Sequence, residues 1–202
     1  MGKFKRFSEI INSENYIFHI HTKYTDGKNS VNDYIVEFPE KALVFTEHIR
    51  KIPNYNWREF ITEVRKHGHL AGFEAKVLPN GCLDIPEAAI EESDVLAVAV
   101  HSYKGENLVS DIRRAFERVS NKIPTVWVHP FSSTVERKLR IDKVEYILTV
   151  MNGFEKKVFL EYNVSKKNFT KAELVFLKKK YNIVIGYDAH SVEQLKELIS
   201  NN

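Results

Sequence analysis

The chain of 202 residues has a single cysteine, Cys82, and no long uninterrupted apolar run. With one thiol, no disulfide can form within the chain, and a reducing cytoplasm is the expected compartment. The same scarcity argues against a cysteine-rich structural zinc site. The apolar runs are too short to cross a bilayer, and the first ten residues lack the apolar core of a signal peptide. We therefore expect no membrane partner.

Neither sign of charge dominates, because 30 Lys and Arg residues stand against 27 Asp and Glu residues, for a net charge of +3. This balance is compatible with an anionic substrate but is too small to indicate a nucleic-acid-binding protein. Linkers, low-complexity segments and repeats are also absent. We expect residues 1–202 to form one domain with a substantial core, and the sequence leaves the oligomeric state open.

Short apolar runs alternate with helical patterns along the chain. Seven strands are predicted at residues 15–20, 41–46, 70–77, 94–100, 124–128, 156–161 and 182–187. Most of these runs are apolar throughout, which is typical of parallel strands covered on both faces. An open doubly wound α/β sheet and a small closed α/β barrel both fit the alternation. We favour the barrel, because only a closed barrel lets the ends of all seven strands converge on one point.

Several helices are marked by apolar faces or by capping residues. Spacing of i, i+3, i+4, i+7 predicts three helix faces: Trp57, Phe60, Ile61 and Val64; Ile112, Ala115, Phe116 and Val119; Val144, Ile147, Leu148 and Met151. Capping boxes are predicted for Ser30 with Asp33, Thr170 with Glu173 and Ser191 with Gln194. We also expect Pro86 in the first turn of a helix capped by Asp84.

Histidines and carboxylates stand repeatedly at the ends of the predicted strands, where α/β folds build their active sites. Nine residues are candidate metal ligands: His19, His21, Asp26, His48, Glu74, His101, His129, Asp188 and His190. A nitrogen and oxygen set without thiolate suits Zn²⁺, Mn²⁺ or Fe. Nine ligands exceed the needs of one ion, so we expect two or three divalent ions.

Other polar residues near these positions receive different interpretations. Glu47 is expected outside the metal shell, and Glu161 and Asn163 are expected to contact the ligands or the substrate. The motif His67-Gly68-His69 follows a helical pattern and is interpreted as a helix end, not a metal site.

Basic residues close to the strand ends are the candidate substrate contacts. Arg50 and Lys104 lie just after strands that carry candidate ligands, and Lys23 lies between His21 and Asp26. We expect these three cations to bind substrate phosphate.

A close-set metal cluster lowers the pKa of a bound water to about 7 and neutralises charge on substrate oxygens. Phosphate ester hydrolysis is the reaction that most needs both effects, because the transferred group is negative throughout.

Six motifs, in the order HIHTKYTDG, FTEH, GFE, AVHS, VHPF and GYDAH, resemble those of the PHP family (polymerase and histidinol phosphatase domains). The resemblance implies a distorted (β/α)7 TIM-like barrel with a di- or trinuclear metal centre at the C-terminal strand ends. It also implies that all nine candidates are ligands, that Glu74 bridges ions, and that Asp26, His101 and His190 are catalytic. The chain departs from the family at Ile17, where an Asp is common, and at Glu47, where Asp-His is the usual second motif.

The leading expectation is a histidinol-phosphatase-like enzyme that hydrolyses a small phosphomonoester with a metal-activated hydroxide. One alternative is a nuclease or exonuclease, because the family includes polymerase-associated domains. Another is a catalytically silent metal-binding regulatory domain. The sequence does not identify the substrate.

Overall fold

The computed structural model describes residues 2–132, 135 and 142–201. Seven parallel strands follow each other in chain order around a closed barrel, with β7 pairing back onto β1. The strands are β1 (Tyr16–Ile20), β2 (Ala42–His48), β3 (Leu70–Lys76), β4 (Val95–Ala99), β5 (Thr125–Trp127), β6 (Val158–Asn163) and β7 (Ile183–Ala189). The predicted closed α/β barrel is confirmed, and the open sheet is excluded.

The described residues form eight α-helices and one short 3₁₀ turn, Pro79–Gly81. The helices are α1 (Lys3–Asn12), α2 (Val31–Glu37), α3 (Trp57–Lys66), α4 (Glu87–Glu92), α5 (Leu108–Val119), α6 (Lys143–Met151), α7 (Lys171–Lys178) and α8 (Val192–Ser200). Within the same ranges, no helix combines the length and apolar character that a bilayer crossing requires.

Alternate residues of the strands enter two separate apolar cores, because successive side chains point to opposite faces. Leu43 and Phe45 of β2 pack in the larger core with the surrounding helices, whereas Val44 between them packs in the smaller one. Helix α1 contributes Phe7 to the smaller core, where its ring meets Phe18 edge-on at 6.4 Å. Arg6 of α1 donates hydrogen bonds to the carbonyls of Gly68 and His69, just before β3 begins, so α1 lies at the N-terminal end of the barrel.

Two of the three predicted helix faces are buried as expected. All four predicted residues of α3 and all four of α5 are buried. In α6 the face is rotated: Tyr146 and Val150 are buried, and Val144 and Leu148 are only partly buried. The aromatic ring of Tyr146 packs 5.4 Å from that of Trp127, which explains why the larger side chain occupies the core position.

Two predicted capping boxes are confirmed, at Ser30 with Asp33 and at Thr170 with Glu173. Only one of the two hydrogen bonds of the third predicted capping box is present. Ser191 Oγ accepts a hydrogen bond from the Gln194 backbone N–H, but Gln194 Oε1 accepts from the N–H of His190 at 2.7 Å. The cap of α8 therefore fixes the backbone of a candidate ligand.

The prediction for the start of α4 is also wrong. Pro86 is the N-cap and Glu87 the first helical residue, so the proline lies one position earlier than expected. The Asp84 side chain does not cap this helix. Instead it accepts a hydrogen bond from the Lys51 backbone N–H at 2.9 Å and lies 3.5 Å from Lys76 Nζ.

Three strands extend two residues beyond their predicted ends, to His48, Asn163 and Ala189. These extensions place polar residues within the strands at the C-terminal end of the barrel, although Asp188 departs from extended geometry with a φ of +52°. His48, Asn163 and Asp188 are therefore held by strand hydrogen bonding and not by flexible loops.

The buried aromatic face of α3 provides a test of the fold. Phe60 is fully buried and its ring contacts those of Tyr24 and Phe73, whereas Phe176 on α7 is 40% exposed. We expect Phe60→Ala to lower the free energy of unfolding in urea by about 3–5 kcal/mol, because a large cavity remains. Phe176→Ala is the control and should cost less than about 1 kcal/mol. Equal losses for the two variants would contradict the packing described.

Candidate metal centre

The nine candidate ligands lie together at the C-terminal end of the barrel. Their donor atoms form four groups, and within each group the atoms lie within 4.8 Å of one another. The groups are His21, Asp26, His48 and His190; His19, His21 and Asp188; His19, Glu74 and His129; and His48, Glu74 and His101. Because the groups share members, they form one continuous cluster.

Glu74 on β3 is the centre of this cluster and its side chain is fully buried. Five imidazoles surround its two carboxylate oxygens. Their nearest nitrogens lie at 2.7 Å for His101 and 2.9 Å for His129 from Oε1, and at 3.2 Å for His48, 3.3 Å for His19 and 3.4 Å for His21 from Oε2. Burial alone would raise the pKa of Glu74, but His129 and the hydrogen bond from His101 hold it well below its usual value. The carboxylate is therefore charged and needs positive partners.

Asp188 on β7 forms a second carboxylate position beside the first. Its Oδ1 lies 3.6 Å from His19 Nε2 and 3.5 Å from His21 Nε2. Although burial opposes ionisation, the neighbouring His19 and His21 hold the pKa of Asp188 well below its usual value. His19 and His21 thus lie between two anionic carboxylates.

Backbone strain is concentrated among the candidate ligands. His19, His129 and Asp188 have φ values of +70°, +28° and +52°, in a region that side-chain-bearing residues rarely adopt. His19 also lies at a shift of strand register between Phe18 and Ile20. Such strain costs roughly 1–3 kcal/mol per residue and persists where the surroundings impose it, as at functional sites.

The rim of the cluster is formed by more exposed residues. Asp26 Oδ2 lies 3.5 Å from His48 Nε2 and 3.4 Å from His190 Nε2, and the Asp26 side chain is 54% exposed. The His21 ring packs against the rings of both His48 and His190, with centroids at 4.4 and 4.5 Å. These contacts connect the buried part of the cluster to its solvent-accessible edge.

His21 shows that the cluster fits metal ions. Both of its ring nitrogens are buried without a hydrogen-bond partner among the described residues. Burial lowers the pKa of His21 to about 4, so its imidazole is neutral and offers a lone pair near neutral pH. An unsatisfied buried polar atom costs roughly 1–3 kcal/mol, and a cation beside His21 would remove that cost at the nitrogen that carries the lone pair.

Glu161 on β6 orients the His19 imidazole and holds the backbone of His129, in agreement with the contact expected for it. Its Oε1 lies 2.6 Å from His19 Nδ1, and its Oε2 accepts from the His129 N–H at 2.6 Å and from Asn163 Nδ2 at 3.1 Å. A Cβ at Gly186 would lie 2.0 Å from Glu161 Oε1, so only glycine leaves room for this carboxylate. Holding Nδ1 of His19 turns its Nε2 toward Glu74 and Asp188.

Glu47 is buried next to the cluster but belongs to none of the four ligand groups. Its carboxylate accepts hydrogen bonds from the Thr22 backbone N–H at 2.7 Å and from the Thr25 hydroxyl. Burial raises the pKa of Glu47 to about 7, against the effect of these hydrogen bonds. The residue therefore fixes the loop that carries Asp26, which agrees with its expected place outside the ligand set.

The motif at residues 67–69 is a helix end, as expected. His67 is the C-cap of α3, and Gly68 follows in the left-handed region with φ of +80°. His69 Nδ1 lies 3.3 Å from the Leu43 backbone nitrogen. Neither histidine joins a ligand group.

The three predicted substrate cations lie in different places. Arg50 borders a cavity of about 380 Å³ that is also lined by the ligands Asp26, His48, Glu74 and His101. Lys104 is exposed and does not border this cavity, and Lys23 borders a separate groove next to Glu63. Of these three cations, only Arg50 therefore lines the cavity that candidate ligands also line.

Two further lysines near the cluster were missed from the sequence. Lys76 lines the cavity, and its position two residues after Glu74 on one strand could have indicated a shared face. Lys166 Nζ lies 3.5 Å from Asp188 Oδ2. Nothing in its sequence context separates Lys166 from the other basic residues, because its position depends on the loop conformation after β6.

No family model matches this chain. Among curated proteins, it is similar to the DNA polymerase/3'-5' exonuclease PolX of Bacillus subtilis (strain 168). The two are 20% identical over 198 aligned residues, covering 89% of this chain and 35% of the relative. The chain thus spans about a third of that protein's length. The similarity is distant support for the PHP resemblance.

The central position of Glu74 predicts that it controls metal retention. We expect Glu74→Gln to lose most of the bound Mn²⁺ or Zn²⁺, because the charge that faces five imidazoles is removed. Bound metal is measured by elemental analysis. In wild type, free metal at 100 times Kd should add about 2.7 kcal/mol to the free energy of unfolding, and Glu74→Gln should lack this gain.

His67→Gln is the matched control, because it removes an exposed imidazole outside the cluster. It should keep wild-type metal content and metal-dependent stabilisation. Equal metal content in Glu74→Gln and His67→Gln would contradict the assignment.

Proposed function

We propose that the protein is a PHP-family, metal-dependent phosphoesterase that hydrolyses a small phosphomonoester, and that it acts in the cytoplasm. The observation that carries the proposal is the convergence of nine candidate nitrogen and oxygen ligands, with Glu74 at their centre, beside an open cavity. The distant similarity to a protein named as a polymerase and exonuclease agrees with phosphoester chemistry.

The nine residues would hold two or three divalent ions, and the nitrogen and oxygen donor set favours Zn²⁺, Mn²⁺ or Fe. Bound ions supply positive charge for phosphoryl oxygens and lower the pKa of water to about 7. Glu74, whose two oxygens each face imidazoles, would be the carboxylate shared by the ions, as the family resemblance implies. His19, His129 and Asp188 are buried and serve to hold the ions.

Catalytic contact with the substrate requires ligands that solvent can reach. The side chains of Asp26, His101 and His190 are 54%, 41% and 31% exposed, and they stand at the rim of the cluster. We assign to these three residues the contact with the reacting group. Asp26, which faces His48 and His190, is placed to accept a proton from an attacking water.

The cavity beside the rim would receive the substrate. Its volume of about 380 Å³ suits a small ester. Arg50, Asn54 and Lys76 line it together with Asp84, so it offers cations and hydrogen-bonding groups for a polar phosphorylated compound such as histidinol phosphate. Lys23 and Lys104 remain predicted contacts at a greater distance from the cavity.

A second candidate function is cleavage of nucleic-acid phosphodiesters from an end. It is favoured by one observation, the distant similarity to a protein that is named as a 3'-5' exonuclease. Binding to single-stranded DNA that weakens steeply with added salt would favour it over the first candidate. A silent metal-binding regulatory role is disfavoured, because a site without turnover has no need for a complete ligand set with an exposed rim.

The test is phosphate release from p-nitrophenyl phosphate and from a panel of small phosphomonoesters, on protein with measured metal content. We expect turnover with Mn²⁺ or Zn²⁺, and a loss of about 100-fold or more in kcat for His101→Ala. His67→Ala is the control and should match wild type. Bis(p-nitrophenyl) phosphate and a labelled oligonucleotide are run in parallel to detect the second candidate. No turnover on any substrate with any divalent metal would contradict the proposal.

A further inference from the structure

We propose that Lys166 is a substrate-binding residue that contacts a phosphoryl oxygen on the Asp188 side of the site. The inference rests on the proposed phosphoesterase function and adds a cation that the motifs do not contain. Its starting point is the distance of 3.5 Å between Lys166 Nζ and Asp188 Oδ2.

Asp188 presents its two carboxylate oxygens to different partners. Oδ1 faces the imidazoles of His19 and His21, where an ion would lie, and Oδ2 faces the Lys166 ammonium. The Lys166 ammonium and the candidate metal position therefore face different oxygens of the same carboxylate. A phosphoryl group bound to an ion at Oδ1 would lie close to this second positive charge.

The loop that carries Lys166 is held by Asn163 at the end of β6. Asn163 Nδ2 donates to Glu161 Oε2 at 3.1 Å, and Asn163 Oδ1 accepts from the Lys166 backbone N–H at 2.9 Å. One buried amide thus joins the carboxylate that orients His19 to the backbone of Lys166. The position of the lysine is coupled to the geometry of the ligands.

A second buried amide completes the loop. Asn168 Oδ1 accepts from the Asn163 N–H at 2.9 Å, and Asn168 Nδ2 donates to the Glu161 carbonyl at 3.0 Å. Lys167 adopts a left-handed conformation with φ of +46°, and its N–H donates to the Asn163 carbonyl. Two buried asparagines and one strained residue therefore shape the turn that carries Lys166.

Structural stabilisation is a weak explanation for this arrangement, because the Lys166 side chain is 58% exposed and solvent screens its charge, even though the Asp188 side chain is only 10% exposed. A lysine is a mobile point charge that binds phosphate well. When an ion takes up the charge of Asp188, the ammonium can turn to an incoming anion.

Lys166 and Arg50 lie beside different candidate ligands of the cluster. Arg50 lines the cavity bordered by Asp26, His48, Glu74 and His101, which does not include Asp188 or Lys166. The two cations can therefore contact one substrate from separate sides. We expect their effects on phosphate affinity to be independent.

The test compares Lys166→Gln with Lys167→Gln, an adjacent exposed lysine that provides the same change of charge. Proteins loaded with Mn²⁺ are checked by elemental analysis, and inorganic phosphate binding is measured by calorimetry and as inhibition of p-nitrophenyl phosphate hydrolysis. We expect Lys166→Gln to weaken phosphate binding about 10- to 100-fold, the range for a hydrogen bond to a charged group. Metal content should be unchanged, and Lys167→Gln should stay within about twofold of wild type.

Equal phosphate affinities for the two variants would overturn the inference. Loss of metal from Lys166→Gln would also overturn it, because the lysine would then support Asp188 and not the substrate. Failure of the proposed function is distinguishable: a wild-type protein that binds phosphate through Lys166 but hydrolyses no ester retains the inference and loses the function. Wild-type protein that binds no phosphate at all would refute the inference even if esters are hydrolysed.

Discussion

The candidate site depends on one buried carboxylate, Glu74, and the positive charge that must accompany it. A buried, ionised carboxylate without partners is strongly unfavourable. Here five imidazoles from different parts of the chain lie within 3.4 Å of its oxygens. Protons on the imidazoles or metal ions between them can supply the charge. The His21 nitrogens, which have no hydrogen-bond partner among the described residues, favour metal ions, because a neutral imidazole offers the lone pair of one ring nitrogen to a cation.

The closed barrel is what makes such a convergence possible. Strands in chain order bring their C-terminal ends to one rim, so residues as distant in sequence as His19 and Asp188 lie 3.6 Å apart. Helix α1 packs against the opposite end through Phe7. The barrel also supplies the rigidity to hold His19, His129 and Asp188 in strained backbone conformations. Part of the stability of the fold therefore offsets the strain of holding these donor atoms in place.

Much of the fold was predictable from local patterns, because continuous apolar runs and polar strand ends are direct consequences of a barrel covered by helices. The grouping of nine candidate ligands was predictable for the same reason. What the sequence could not show depends on tertiary contacts. The rotation of α6 follows from the packing of Tyr146 on Trp127. The hydrogen bond from the His190 N–H to Gln194 Oε1 forms only once β7 and α8 are in place. The position of Lys166 next to Asp188 could not be predicted, because two buried asparagines shape its loop.

The central claim is that Glu74 and the surrounding imidazoles would together hold a cluster of divalent ions. Anomalous X-ray diffraction from crystals of the metal-loaded protein tests it most directly, because it locates each ion and identifies its element. The account predicts two or three ions at the barrel mouth, with both Glu74 oxygens coordinating and with His21 as a ligand. A single ion that leaves Glu74 uncoordinated, or ions bound only elsewhere on the surface, would contradict it.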